Sequence, residues 1–354
     1  MMWSCARVAL LLVVWTATAS CSKSPGAEMV STHLPLPPKT ASTGRAAHVV
    51  IISIDGLRPD ALTTAPCRNL LALIRRGAHS PEAETIDRSL TLPSHSSMLT
   101  GLNGRHGITW NEDPGGATTH PTVFSIARQA GLSTAAMFSK PKFHYLLPPG
   151  SAHWIYGPRR SGPTTPAPAT DCASPEGTKP ESSPPPPAKR EVSGQVEVVV
   201  SSPTASSAVS VAEAFSAEWS KHQYQLTFIH FGDPDGAGHG YGWMSPEYLS
   251  AVRNADQAVG IVIESIQKAG CADTTAIIVT SDHGGSGKVH FHPEIHRKAE
   301  DVTIPWICTG PGVPAGLTID RTILTQDTAP TVLAFLGLKA PAGIDGRVVE
   351  ELFK

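Results

Sequence analysis

His48-Val-Val-Ile-Ile-Ser-Ile-Asp55 is a continuous apolar run that ends in a carboxylate, and Gly56 follows it. A run of this kind is typical of a β-strand that is buried on both faces of a largely parallel sheet. The same form recurs further along the chain, in Leu226-Thr-Phe-Ile-His-Phe231, Thr275-Ala-Ile-Ile-Val-Thr-Ser281 and Ile304-Pro-Trp-Ile-Cys308. The sequence therefore predicts a central sheet in which most strands are parallel.

Helical segments separate these runs. The clearest begins at Ser245-Pro246-Glu247, where a capping residue precedes a proline at the first helical position, and it stops at Gly270. The alternation of strands and helices predicts an α/β sandwich with helices on both faces of the sheet. Apolar residues recur along this helix at Tyr248, Val252, Ala255, Val259, Val262 and Ile266.

Composition and length restrict the class of protein. Charged residues make up 16% of the 354 residues and the formal net charge is −2. The chain therefore has no general attraction to nucleic acid or acidic membranes, and we expect no specific nucleic-acid surface. A chain of this length buries a large core, and we expect one domain over residues 46–354.

The stretch over about residues 157–192 is dominated by Pro, Ser, Thr and Lys, which predicts a disordered surface insertion.

The N-terminus predicts export. Arg7 precedes a short apolar run and then small residues, a pattern that indicates an export signal over residues 1–21. The end of this signal resembles that of bacterial lipoproteins, in which Cys21 becomes the lipidated first residue, although Thr18 departs from the usual leucine. Residues 22–45 indicate a flexible tether. We expect an exported bacterial protein, in the periplasm or anchored to the outer membrane through Cys21.

The remaining cysteines define no site. Export makes disulfides permissible, but four cysteines allow three full pairings and their spacing selects none. Scattered spacing also argues against a cysteine zinc site. The four residues are Cys67, Cys172, Cys271 and Cys308.

Acidic residues stand at the carboxyl ends of three predicted strands, followed by glycine, histidine or both. Ligands bind at this edge in open α/β sheets. Converging carboxylates and imidazoles suit a divalent metal, and mixed sets suit zinc or manganese. One Asp-Gly pair is ordinarily a turn, but three such signals together favour a metal site. They are Ile54-Asp55-Gly56, Asp233-Pro-Asp235-Gly-Ala-Gly-His239 and Ser281-Asp282-His283-Gly284-Gly285.

A hydroxyl-rich run lies between the first and second of these clusters. Ser89-Leu-Thr91-Leu-Pro-Ser-His-Ser-Ser-Met-Leu-Thr100-Gly101 predicts a helix with Pro93 near its first turn. A hydroxyl at a helix N-terminus faces unsatisfied N–H groups and the positive end of the helix dipole, which favours an anion such as phosphate. Ser94, Ser96 and Ser97 are interpreted as ordinary capping residues.

Taken in order, these motifs resemble the alkaline phosphatase superfamily, and they are most similar to its type I phosphodiesterase/nucleotide pyrophosphatase family. The resemblance covers residues 47–340, apart from the Pro-rich insertion. It implies an alkaline-phosphatase-like three-layer sandwich. The motifs are Asp55-Gly56, Thr91-Leu-Pro-Ser-His, Gly101 with His106-Gly107-Ile108 and Asn111, Asp235-x-x-x-His239, Ser281-Asp-His-Gly-Gly and Ile304-Pro-Trp.

The resemblance also implies a set of two divalent ions, most simply Zn²⁺. Asp235, His239 and a downstream histidine would hold one ion. The spacing favours His290 as that histidine, with His292 and His296 as alternatives. The other ion would be held by Asp55, Thr91, Asp282 and His283.

For the chemistry, the resemblance implies that Thr91 is the nucleophile of phosphate ester hydrolysis and forms a covalent phosphothreonine. Asn111 would bind a phosphoryl oxygen. The expected substrate is a small-molecule phosphate ester or nucleotide, of the diester class. Lys140 and Lys142 resemble the Lys-x-Arg pair of some phosphate monoesterases in the superfamily, so a monoesterase is the alternative; they are otherwise two solvated lysines.

The sequence supports other functions less well. A sulfatase would require Cys or Ser followed by x-Pro-x-Arg at the nucleophile, where this chain has Thr91-Leu-Pro-Ser. A phosphonate hydrolase remains open, as does a phosphoethanolamine transferase, although the latter usually carries several transmembrane helices. An inactive binding protein that keeps the fold is disfavoured because every ligand type and the nucleophile are present.

Overall fold

One ten-stranded sheet forms the centre of the computed structural model, which describes residues 28–38, 41–111, 118–148, 150–159, 196–201, 206–295 and 297–354. The strand order is β10-β3-β9-β8-β2-β7-β4-β5-β1-β6. The strands are β1 (Glu28–His33), β2 (His48–Ile54), β3 (Ala78–Glu84), β4 (Thr134–Phe138), β5 (Trp154–Pro158), β6 (Val196–Ser201), β7 (Leu226–Phe231), β8 (Thr275–Thr280), β9 (Thr303–Thr309) and β10 (Leu317–Thr318).

The centre of the sheet is parallel. The strands from β8 to β5 all pair in parallel, whereas β9 and β1 pair antiparallel with their neighbours. Each of the four predicted apolar runs forms a strand, and β7 and β8 are buried along their whole length. The prediction of a largely parallel sheet is therefore confirmed.

Helices cover both faces of the sheet. In β2, Val49 and Ile51 join a core on one face of the sheet, whereas Val50 and Ile52 join a second core on the other face, and each core includes residues from at least three of the helices given below. This alternation across one strand confirms the predicted three-layer α/β sandwich. The helices are α1 (Ala61–Thr64), α2 (Arg68–Arg76), α3 (Thr91–Thr100), α4 (Val123–Gln129), α5 (Ala208–Trp219), α6 (Asp233–Tyr241), α7 (Pro246–Lys268), α8 (Ala299–Val302) and α9 (Thr328–Phe335).

The longest helix has the predicted ends. The Ser245 hydroxyl accepts a hydrogen bond from the Tyr248 backbone N–H, and Pro246 is the first residue of α7. Gly270 has a φ of +70°, a left-handed conformation that glycine adopts without strain after a helix. None of the helices that the structure describes is long and apolar enough to cross a membrane.

The N-terminal segment differs from its prediction. A flexible tether over residues 22–45 is wrong for residues 28–33, because these form β1 between β5 and β6. The insertion predicted over 157–192 also begins too early, since Gly157 and Pro158 are buried in β5. The export signal, Cys21, Cys172 and the rest of the predicted insertion lie outside the described residues, and the described part of the chain contains no disulfide.

Replacing Met29 with alanine tests whether β1 is docked. Met29 is fully buried in the core beside α5 and α7, so the change should lower the free energy of unfolding by about 2–5 kcal/mol. Urea denaturation measures the effect. Glu28→Ala, at an exposed position of the same strand, should change the free energy of unfolding by less than about 0.5 kcal/mol. Equal midpoints for the two variants would contradict a docked strand.

Candidate metal centre

Four neighbouring parallel strands bring the predicted site residues to one edge of the sheet. β8, β2, β7 and β4 are adjacent in that order. Asp282 follows β8, Asp55 follows β2, and Asp235 lies in α6 directly after β7. Lys140 follows β4. Because parallel strands end at the same edge, side chains that are far apart in sequence meet there.

Two overlapping groups of side chains have ligand atoms close enough to hold metal ions. Asp55, Asp282 and His283 form one group, in which the ligand atoms all lie within 4.8 Å of one another. Asp235, His283 and His290 form the other. All five residues are buried. Five of the seven predicted ligands belong to these groups. A sixth, His239, lies beside them, because its Nε2 is 3.3 Å from the Asp235 Oδ1.

Four buried ligand atoms in these groups have no hydrogen-bond partner among the described residues: Asp55 Oδ1, Asp235 Oδ1, Asp282 Oδ2 and His283 Nε2. The His283 Nε2 lies 3.4 Å from both the Asp55 Oδ1 and the Asp282 Oδ2, and 3.9 Å from the Asp235 Oδ1. Buried polar atoms that lack partners are costly. Bound cations would satisfy all four atoms, so the donor set fits divalent metal ions.

The three histidines share one orientation. Each ring places Nδ1 against a backbone carbonyl: Gly284 for His283, Ser89 for His290 and Lys288 for His239. An Nδ1–H that donates to a carbonyl leaves Nε2 with a free lone pair, as a metal ligand requires. In each ring this Nε2 is the nitrogen that faces the carboxylates.

Burial and charge act on these groups in opposite directions. Burial would raise the pKa of Asp55, but Lys140 and His230 outweigh it and hold that pKa well below its ordinary value. Burial and the neighbouring Asp55 carboxylate raise the pKa of Asp282 to about 7. Burial lowers the pKa of His290 to about 3, which keeps its ring neutral and able to bind a metal.

Thr91 is the first residue of α3 and is buried. The His95 Nδ1 lies 2.7 Å from the Thr91 carbonyl oxygen and 3.5 Å from the Asp282 Oδ2, so it joins the helix N-terminus to a predicted metal ligand. The Asn111 Oδ1 accepts a hydrogen bond from the Leu92 N–H at 2.9 Å. Asn111 therefore sits at the start of α3, and its amide NH₂ is free of this bond.

The interpretation of three serines as capping residues is wrong. The helix begins at Thr91 after Leu90, so Ser94, Ser96 and Ser97 lie inside α3, where all three are fully buried. Two of them instead bond neighbouring side chains: Thr85 donates to the Ser94 hydroxyl, and the Ser97 hydroxyl bonds the His106 ring at 3.0 Å.

Lys140 and Lys142 differ in their placement. The Lys140 Nζ lies 2.6 Å from the Asp55 Oδ2 and 2.5 Å from the Asp235 Oδ2. Lys142 is half-buried in the short 3-10 turn Pro141–Tyr145. Their predicted contacts with a phosphate remain predictions.

The structure also separates the candidates for the third histidine. His290 lies in a metal group, whereas the His292 Nδ1 lies 2.7 Å from the Asp301 carboxylate. His296 is outside the described residues.

Two further histidines at the site were not predicted as site residues. The His230 Nε2 donates to the Asp55 Oδ2 at 2.8 Å, and its Nδ1 accepts from the Ser139 hydroxyl at 3.0 Å. Burial lowers the pKa of His230 and keeps the ring neutral. His95 bonds the Ser53 hydroxyl through Nε2 at 2.7 Å. The signal available in the sequence was a histidine inside the apolar run Leu226–Phe231 and another inside the Thr91-Leu-Pro-Ser-His motif.

Replacing His230 with alanine should weaken the binding of the ion that Asp55 is predicted to hold. Partners that orient a metal ligand typically contribute 10–100-fold to affinity, so we expect the dissociation constant of that ion to rise by about this factor. Competition with a chromophoric chelator measures it. His222→Ala, at an exposed histidine just before the other end of β7, is the matched control and should leave both dissociation constants unchanged.

The sequence profile of the type I phosphodiesterase/nucleotide pyrophosphatase family matches residues 49–299. This chain belongs to that family. The match begins in β2 and ends at the start of α8, and it therefore contains every predicted site residue of this phosphodiesterase-family chain.

Individual relatives of this phosphodiesterase-family chain are distant. Human ectonucleotide pyrophosphatase/phosphodiesterase family member 5 is 26% identical over 249 residues, which are 67% of this chain and 44% of that protein. An ulvan-active sulfatase of Formosa agariphila is 28% identical over 112 residues, 30% of this chain and 22% of that protein. The chain thus matches less than half the length of these relatives.

A solved structure has the same fold. Murine member 5, in an inactive threonine-to-alanine form in complex with AMP, superposes with a TM-score of 0.54 at 16% identity. The superposition covers 83% of this chain and 96% of that one.

Proposed function

We propose that this member of the phosphodiesterase family hydrolyses phosphate esters of the diester or nucleotide pyrophosphate type, using two divalent ions, most simply Zn²⁺. The observation that carries the proposal is the convergence of four buried ligand atoms at one edge of the sheet, none of which has a hydrogen-bond partner among the described residues. Oxygen and imidazole ligands in this mixture suit zinc. The AMP bound by the murine relative makes a nucleotide a reasonable first substrate to test.

The residues have distinct roles in the proposed reaction. Asp55, Thr91, Asp282 and His283 would hold one ion, and Asp235, His239 and His290 the other. Bound ions would supply positive charge to the Thr91 hydroxyl and to the phosphoryl oxygens.

Thr91 Oγ loses its proton and forms a bond to phosphorus while the bond from phosphorus to the leaving oxygen breaks, and the leaving group departs with a proton from solvent. Water then attacks the phosphothreonine, releases the second product and restores the threonine hydroxyl. Asn111, whose amide oxygen accepts from the Leu92 N–H, donates its amide NH₂ to a phosphoryl oxygen.

A small panel of p-nitrophenyl esters tests the proposal. The metal-loaded protein should release p-nitrophenol from bis(p-nitrophenyl) phosphate at least about tenfold faster than from the phosphate monoester, because a diester needs fewer cationic contacts. The sulfate ester is the control for sulfatase activity. Failure to turn over any phosphate ester, with both ions bound, would refute the proposed function.

A phosphate monoesterase is the second candidate. The observation in its favour is the Lys140 ammonium, which adds a positive charge directly beside the carboxylates. A monoester carries one more negative charge than a diester, so a further cation favours it. A higher rate on the monoester in the panel above would select this candidate.

We further propose that the protein is exported and that Cys21 carries a lipid, on the basis of the N-terminal signal pattern. Membrane fractionation of cells that express the full chain tests this. The wild type should sediment with membranes, and Cys21→Ser should be released into the soluble fraction.

A further inference from the structure

Lys140 contacts both candidate metal groups at once. Its Nζ lies 2.6 Å from the Asp55 Oδ2 and 2.5 Å from the Asp235 Oδ2. Asp55 belongs to one metal group and Asp235 to the other. The side chain is only 19% exposed. A buried ammonium is stable only with charged partners, and here it has two.

The ammonium uses the carboxylate oxygens that face away from the histidine ligands. In both residues Lys140 bonds Oδ2, whereas Oδ1 approaches the His283 Nε2 and has no hydrogen-bond partner among the described residues. Lys140 and a metal ion therefore need not compete for the same oxygen. The lysine neutralises the carboxylates from the opposite side.

The fold provides a path for this side chain. β4 is separated from β2 by β7, so Lys140 must pass over the end of β7 to reach Asp55. Gly232 lies at that point, and a Cβ there would stand 2.5 Å from the Ser139 Oγ and 3.4 Å from the Lys140 Cε. The glycine thus leaves room for the segment that carries the lysine.

Charge decides the consequence. Asp55, Asp235 and Asp282 bring three negative charges into a buried site when ionised, and Lys140 is the cation in direct contact with two of them. Without metal, the lysine reduces the repulsion among the carboxylates. With metal, the same ammonium repels the incoming dications.

We propose that Lys140 is an internal counter-ion of the metal site, which keeps the metal-free site assembled and lowers its affinity for divalent ions. The proposal rests on the two-ion site of the proposed function. Lys140 is a positioning residue in this role, since it acts through the carboxylates and not on the reacting atoms.

Lys140→Met tests the proposal because methionine retains an unbranched stem without the charge. In excess chelator, the midpoint of thermal unfolding of this variant should fall by at least about 5 °C relative to the wild type, since one partner of a buried ion pair is lost. Its affinity for Zn²⁺, measured by competition with a chromophoric chelator, should rise by at least about tenfold.

Matched variants separate charge from other effects. Lys140→Arg keeps the charge and should behave like the wild type in both measurements. Lys221→Met makes the same change at an exposed lysine and should alter neither. If Lys140→Met does not fold without metal, the double variant Lys140→Met/Asp235→Asn should fold, because it removes a negative charge together with the positive one.

Three results would overturn the proposal: a metal-free Lys140→Met protein as stable as the wild type, a Zn²⁺ affinity that is unchanged or lower, or a double variant no more stable than Lys140→Met. These outcomes are distinct from failure of the proposed function. A wild-type protein that binds no divalent ion would refute the two-ion hydrolase, and the comparison of metal-free melting temperatures would still decide the role of Lys140.

Discussion

Thr91→Ala should lower the rate of phosphate ester hydrolysis by at least about 1,000-fold, even when divalent ions are supplied in excess to offset the loss of a predicted ligand. The expected size follows from the loss of the attacking atom. Thr91 is buried at the first position of α3, so the shorter side chain leaves the helix itself in place. Steady-state kinetics on the preferred ester, with metal content measured on the same samples, gives the result.

Thr91→Ser is the matched control, because it retains a hydroxyl at the same position and should keep part of the activity. Acid quenching of the wild type during turnover should trap a phosphoryl group on Thr91, which peptide mass spectrometry can locate. Comparable rates for Thr91→Ala and the wild type would remove the covalent mechanism, even if the protein proved to be a metal-dependent hydrolase.

Removal of the metal ions should abolish turnover. It should also lower the midpoint of thermal unfolding by about 5–15 °C, because free ions at concentrations about 100–1,000 times their dissociation constant stabilise the folded state by mass action. Four buried ligand atoms lose their proposed partners at the same time. Calorimetry with and without chelator measures the shift. Unchanged stability and full activity after complete removal would contradict a metal centre.

The affinity of the metal-free protein for divalent ions should also depend on pH. Burial and the Asp55 carboxylate raise the pKa of Asp282 to about 7 in the metal-free protein. A proton must leave Asp282 before it can bind an ion, so apparent affinity should be higher at pH 8 than at pH 6. An affinity independent of pH across this range would argue that Asp282 is not a ligand.

The central part of the fold was predictable because it depends on local patterns. A strand in the middle of a covered sheet is mostly apolar, and β2 and β8 have that form, with their polar residues at or next to the strand ends. The predicted ligands were accessible for a related reason: parallel strands end at one edge, so Asp55 and Asp282 had to be neighbours once their strands were adjacent.

Other features depend on strand order, which local patterns do not contain. β1 has the mixed sequence Glu-Met-Val-Ser-Thr-His and pairs with β5 and with β6, more than a hundred residues away along the chain. The contact of Lys140 with Asp55 depends on the strand order β2-β7-β4, which brings the ends of β2 and β4 close together on either side of β7. His230 was not predicted as a site residue because its partner comes from the strand beside it.

The position of β1 fixes how far a lipid-anchored form could stand from a bilayer. A connection that ran from Cys21 to the start of the domain at residue 46 would span up to about 85 Å when fully extended. Because Glu28 is already held in the sheet, only residues 22–27 remain between the lipid and the folded body, a reach of about 25 Å. An acylated enzyme would therefore work close against the membrane surface, and its substrates would have to come to that layer.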